Sequence, residues 1–149
     1  MMAKSHNHPG FHAIFLTLLA VLSIPISAIQ IFDQNTVPKS LNAACTYALM
    51  KDITCSPVVT AIRSDTYYQQ STLEKTCKPE CSASLDTYAA TVTSLCGTQK
   101  WQASDTEQEL VTSIVDLLRY HYSMVCLMDT GRYCNIVAAG NAAANDEPG

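Results

Sequence analysis

Glycine is scarce in this 149-residue chain, at 5 residues, and no Gly-rich phosphate loop, Walker motif or acidic calcium loop occurs. Charge is sparse as well, at 15% of residues. The cations Lys39, Lys51, Arg63, Lys75, Lys78, Lys100, Arg119 and Arg132 stand singly. Nucleic acids and anionic membranes are held by clustered positive charge, so neither is an expected partner. Past residue 28 there is one histidine, His121, and no Asn-x-Ser/Thr triplet, so N-linked glycan is not expected. After residue 28 no apolar stretch approaches the roughly 20 residues of a membrane span.

The N-terminus holds the one long apolar run. Residues 1–12 carry Lys4 and three histidines but no acid, and 13–24 are apolar apart from Thr17 and Ser23. Pro25 ends the run and Ile26-Ser27-Ala28 offers a small residue for cleavage. Residues 1–28 read as a signal peptide cut after Ala28. The alternative, an uncleaved anchor, would need a span of about 20 residues that includes Pro25, Ser27 and Gln30. The mature protein is thus expected to be secreted, extracellular, free of membrane and small enough for a single domain.

Cysteine is what the chain has in plenty. Cys45, Cys55, Cys77, Cys81, Cys96, Cys126 and Cys134 all follow the signal. Exported cysteines oxidise, so they are read as a disulfide framework. Seven is odd, so three bonds leave one thiol, either buried or paired with another chain. Connectivity is not readable from spacing, although Cys45 and Cys96 lie on inward helical stripes. Cys77 and Cys81, one turn apart, more plausibly reach neighbouring helices than each other. A zinc site from Cys77, Cys81, Cys126 and Cys134 is disfavoured, because neither pair has the tight C-x2-C spacing. No cofactor or metal is expected.

Periodicity gives an all-α domain, a disulfide-stapled bundle of about four helices over residues 40–137, preceded by a polar leader (29–39) and followed by a flexible tail (138–149). Ser40 is expected to cap a helix to about Ile53, with Leu41, Ala44, Cys45, Ala48, Leu49 and Ile53 inward. Ser56-Pro57 begins a short helix. Residues 64–71 read as a loop, and Leu73 to Cys77 as one helical turn. Cys81, Leu85, Tyr88, Val92, Leu95 and Cys96 mark a helix ended by Gly97. Capping boxes at Ser104/Glu107 or Thr106/Glu109 are expected to start the last helix, which buries Leu110, Ile114, Leu117, Leu118, His121, Val125 and Cys126 on one face. No period-2 strand stands out.

No catalytic set emerges. His121 is the one base available for Ser–His or Cys–His chemistry, and its place beside Leu117 and Val125 suits a packed side chain. Asp129-Thr130-Gly131 spells an aspartic-protease triplet but lacks the second copy that shared-proton chemistry needs, and is read as a turn. The chain is therefore read as a non-enzyme. Trp101, Tyr67, Tyr68, Tyr120 and Tyr122 are candidate sugar-stacking rings, against the plainer reading of ordinary core and surface aromatics.

One succession of short motifs remains: Cys45-Thr46-Tyr47-Ala48-Leu49, Ile53-Thr54-Cys55-Ser56-Pro57, Leu73-Glu74-Lys75-Thr76-Cys77, Cys81-Ser82-Ala83-Ser84-Leu85, Val92-Thr93-Ser94-Leu95-Cys96, and 126–134 (CLMDTGRYC). From about residue 40 to 136 this order resembles the cysteine-rich N-terminal module of secreted fungal LysM-domain proteins. In such proteins lysin-motif repeats that bind chitin-related polymers commonly accompany the module. No Tyr-x-Val-x-x-Gly-Asp-Thr-like segment occurs here, so no glycan-binding residue is carried over. The resemblance implies a secreted, effector-like accessory module acting by binding at a cell wall or host surface, with chitin-related carbohydrate as one ligand class. The alternative is a protein–protein module that recognises a surface protein or forms a disulfide-linked dimer.

Overall fold

The computed structural model describes residues 28–145. The signal segment expected at residues 1–28 lies outside that range except for Ala28, which opens strand β1 (Ala28–Gln30). β1 pairs antiparallel with β2 (Asp52–Thr54), placing Ile29 opposite Ile53. Between them runs α1 (Ala43–Leu49). Asn42, not Ser40, caps it: its Oδ1 accepts from the Cys45 N–H at 2.8 Å. The helix stops at Leu49, and the β-branched Ile53 and Thr54 pair with β1 instead of extending it.

Residues Pro57–Ala61 form a 3₁₀ turn that buries Val59, with Pro57 in the first-turn place that costs no hydrogen bond. Helix α2 (Gln70–Thr76) buries Leu73 and Thr76. The longest helix among the described residues, α3 (Pro79–Cys96), sets Cys81, Leu85, Tyr88, Ala89, Val92 and Cys96 inward and ends at Gly97, whose φ of 56° no β-carbon-bearing residue adopts cheaply.

The next segment corrects the sequence reading. Strands β3 (Lys100–Gln102) and β4 (Gln108–Leu110) form a hairpin with Trp101 opposite Glu109. The Ser104 N–H bonds the Glu107 carbonyl and the Glu107 N–H the Ser104 carbonyl, so the expected capping box is the hairpin's turn. Helix α4 starts only at Val111 and runs to Val125, its first N–H taken by the Gln99 carbonyl. Val111, Val115, Tyr122 and Val125 are its buried side, and Leu117 lies outside.

Strands β5 (Met128–Asp129) and β6 (Arg132–Tyr133) close a two-residue hairpin in which Thr130 and Gly131 both have positive φ. The Asp-Thr-Gly triplet is that turn. Helix α5 (Cys134–Asn145) follows, so the segment expected as a tail from residue 138 begins helical. An all-α class is thus too narrow. Among the described residues five helices are joined by three two-stranded sheets, each short enough that its period-2 signal vanishes in sequence.

Three disulfides staple this arrangement around α3. Cys45–Cys96 ties α1 to the end of α3, Cys55–Cys81 ties the chain after β2 to its start, and Cys77–Cys126 joins the ends of α2 and α4. Each such bond typically contributes about 2–5 kcal/mol in a small secreted domain. Leu49, Ile53, Val59, Ile62, Leu85 and Val92 fill the space between them, each at most 1% exposed.

Candidate functional site

The aromatic candidates scatter. Tyr122 is buried, and its hydroxyl donates towards the Lys78 carbonyl at 3.1 Å and the Thr76 carbonyl at 3.3 Å. Burial, aided by the charges of Tyr133 and Glu80, pushes that phenol up to about 12. It closes the α2–α3 junction and leaves no ring face for a sugar. Tyr68 is half-buried, its hydroxyl accepting from the Arg63 N–H at 2.9 Å and its own N–H donating to Asn135 Oδ1 at 2.8 Å. Trp101 packs against the core, and its buried Nε1 has no partner among the described residues. Tyr67 and Tyr120 are more than half exposed, one in the loop before α2 and the other on α4. Among the described residues the one ring pair is Tyr120 with His121, centroids 5.7 Å apart.

His121 sits half-buried on α4 facing the loop after the 3₁₀ turn. Its Nδ1 lies 3.0 Å from both the Ser64 N–H and the Ser64 hydroxyl. A backbone N–H can only donate, so Nδ1 must accept and the ring proton rests on Nε2. The lone pair that a general base would offer the Ser64 hydroxyl is already engaged. No carboxylate orients the ring from its far side among the described hydrogen bonds, as a nucleophile–base–acid relay would require. The contact anchors the loop to α4.

Six cysteines are spent in disulfides, which takes Cys77, Cys81 and Cys126 out of any zinc set, and Cys134 alone carries a free thiol. No group of three or more His, Cys, Asp or Glu side chains converges among the described residues.

The surface with ligand-like chemistry lies elsewhere, on α1. Tyr47, 63% exposed, stands one turn after Ala43 on α1, and Met50 and Lys51 follow just past the helix end beside it. The Lys51 ammonium stands 5.5 Å from the Tyr47 ring centroid. With Thr46 and Asp52 these residues line a shallow, open depression of about 670 Å³. Lys51 and Asp52 also border a second depression of about 310 Å³, floored by Ser84, Thr87 and Thr91 on the outer side of α3. The two depressions share Lys51 and Asp52 and together make a trough-like surface along the α1–β2–α3 seam, where the Cys45–Cys96 bond and the buried Tyr88 hydroxyl bond to the Leu49 carbonyl (2.8 Å) tie α1 to α3.

Polar groups in the trough are only partly committed. The Thr87 and Thr91 hydroxyls donate to their own helix carbonyls at 2.9 Å, leaving oxygen lone pairs outward, and the Ser84 hydroxyl accepts from the Thr54 N–H, leaving its proton free. Neither Lys51 nor Asp52 is in an ion pair among the described residues, where Arg119–Asp86 is the one pair. An aromatic face beside an ammonium, a carboxylate and a row of hydroxyls suits a polyhydroxylated ligand, apolar on ring faces and polar at ring edges. The sequence reading passed over Tyr47 because it stands alone, without an aromatic neighbour. Its i+4 lysine and its place opposite the inward Cys45–Ala48–Leu49 side were the available signals.

The profile of the family described as the secreted LysM effector N-terminal domain matches residues 27–139. A LysM domain-containing protein of Arthroderma benhamiae is 34% identical over 135 residues, which cover 90% of this chain and 24% of that protein. The secreted LysM effector Vd5LysM of Verticillium dahliae is 32% identical over 118 residues, 77% of this chain and 17% of its own length. The chain therefore spans about a quarter or less of the relatives it matches. No solved structure matches.

Proposed function

Because this chain belongs to the secreted LysM effector N-terminal domain family, we propose that it is an exported, non-enzymatic, effector-like module that acts by binding carbohydrate at a cell wall or host surface. Among its relatives is a protein whose name calls it a secreted LysM effector. The trough on α1 and α3 carries the reading. Tyr47 supplies the flat ring on which a sugar stacks, Lys51 and Asp52 a donor and an acceptor for ring substituents, and Thr87 and Thr91 further acceptors. Each contact is weak, as an open site implies, so affinity for a polymer would come from repeated engagement along the chain. The ligand class that fits is a β-linked N-acetylhexosamine polymer, whose acetamido groups offer both a carbonyl for Lys51 and an N–H for Asp52.

The engagement of His121 Nδ1 by the Ser64 N–H supports the non-enzymatic part of this reading. Its Nδ1 is held by Ser64, so replacing His121 by Gln would loosen a loop without removing a chemical step.

Co-sedimentation of the oxidised protein with insoluble chitin, against cellulose and β-glucan, tests the reading. Retention on chitin that Tyr47→Ala abolishes is the expected result. Equal passage through all three polymers would remove the carbohydrate assignment.

A further inference from the structure

Helix α4 presents a second, unexplained face. On the helix Leu117, Tyr120 and Met124 follow one another at spacings of three and four, Leu127 continues the spacing two residues past its end, and each is about half exposed. Leu110 at the helix start continues the row one heptad before Leu117, and Met128 flanks its end. The buried side of the same helix is Val111, Val115, Tyr122 and Val125, so the exposed row is not the core-facing stripe displaced. Alternating three- and four-residue steps are the a and d positions of a coiled-coil seam. Six side chains of this size along α4 and at its two ends, each about half exposed, leave roughly 500–600 Å² of accessible area, near the ~800 Å² per partner of a stable interface once flanking contacts are added.

We propose that two copies of this chain pair through this face, α4 lying parallel to α4 about a two-fold axis. Hydrogen-bond complementarity selects the occupant and the direction. With Leu117 and Met124 at a and Tyr120 and Leu127 at d, Asp116 takes a g position and His121 an e position. In a parallel pair, g of one helix faces the following e of its partner, so the Asp116 carboxylate meets His121 across the seam. The Ser64 N–H occupies His121 Nδ1, which leaves Nε2–H directed to donate to that carboxylate. Both contacts occur twice by symmetry, as an isologous interface requires.

The parallel direction also brings the two C-terminal ends of the seam together. Cys134 lies there, its N–H bonded to the Leu127 carbonyl at 2.9 Å, and it carries the one thiol left unpaired by the three intrachain bonds. In an antiparallel pair the thiols would stand at opposite ends, roughly 20 Å apart at 1.5 Å per residue. In the parallel pair they can join. Oxidised glutathione accepts two electrons and is reduced to two glutathione thiols, while two Cys134 thiols lose their protons and form one S–S bond.

Sedimentation equilibrium of the oxidised Cys134→Ser protein tests the face without the bond. A reversible dimer is expected, and Tyr120→Glu/Met124→Glu, both surface changes, should return it to monomer with an unchanged circular dichroism spectrum. In a glutathione redox buffer the native chain should give a covalent dimer on a non-reducing gel, and the double glutamate variant should lose it. A monomeric Cys134→Ser protein at high micromolar concentration would overturn the proposal, as would a covalent dimer indifferent to the glutamates. Neither result depends on carbohydrate binding.

Discussion

The Tyr88 hydroxyl donates to the Leu49 carbonyl over 2.8 Å, so a side chain in the middle of α3 satisfies one of the last carbonyls of α1. That bond sits beneath the trough, at the same helix–helix seam that the Cys45–Cys96 disulfide closes from its end. The seam is thus held by a disulfide and a buried hydrogen bond, and the trough is built on it.

Alkaline pH should loosen this seam first. Burial raises the Tyr88 phenol far above its ordinary value and Tyr122 up to about 12. Between about pH 10, where an unfolded tyrosine ionises, and these higher values the unfolded chain has lost protons that the folded chain keeps. Stability is fully present below pH 10 and falls as pH rises through that window. Chemical denaturation at pH 8 and pH 11 should show the loss, and Tyr88→Phe should reduce it while costing about 1 kcal/mol at pH 8 for the lost hydrogen bond.

Replacing both Cys45 and Cys96 by Ala should cost about 2–5 kcal/mol and lower the melting midpoint by many degrees. The bond closes a loop spanning 51 residues of sequence separation, between α1 and the end of α3. Melting of the oxidised variant against the native protein, followed by far-ultraviolet circular dichroism, checks it.

Arg119 and Asp86 form a charged contact of 2.6 Å between α4 and α3, with side chains 44% and 60% exposed. Solvent screening leaves such a pair at about 0–1 kcal/mol. Arg119→Ala should therefore shift urea denaturation by no more than that, and the shift should shrink further in 1 M salt.

Two glycines should respond in opposite directions to alanine. Gly97 has φ 56° with open space where a β-carbon would go, so Gly97→Ala should cost about 1–3 kcal/mol through backbone strain alone. Gly140 lies within α5 and also has open space, so Gly140→Ala should be neutral or stabilise by about 0.5–1 kcal/mol. Thermal melts of the two variants side by side separate the cases.

The sequence made α3 legible because its inward residues repeat over eighteen positions and both ends carry punctuation, Pro79 and Gly97. Cys45 and Cys96 could be set together because each lies on an apolar stripe. The three hairpin-like pairs stayed hidden. Strands of two or three residues have no period to read, and Ile53 fits a helical face as well as it fits the strand it joins. Tyr122 illustrates the limit for the site. Nothing in its neighbourhood in sequence distinguishes a ring aimed at solvent from one aimed at the Lys78 carbonyl, whereas the fold decides it at once. Tyr47 escaped for the converse reason, since the Thr87 and Thr91 hydroxyls of the neighbouring depression lie some forty residues away on another helix.

The most direct test of the carbohydrate reading is amide chemical-shift mapping of the isotopically labelled, oxidised protein titrated with soluble N-acetylglucosamine oligomers. The account predicts saturable shifts at Tyr47, Lys51, Asp52, Thr87 and Thr91, lost in Tyr47→Ala while the rest of the spectrum stays in place. Shifts centred instead on Tyr67 or Tyr120, or none at millimolar oligomer, would contradict it.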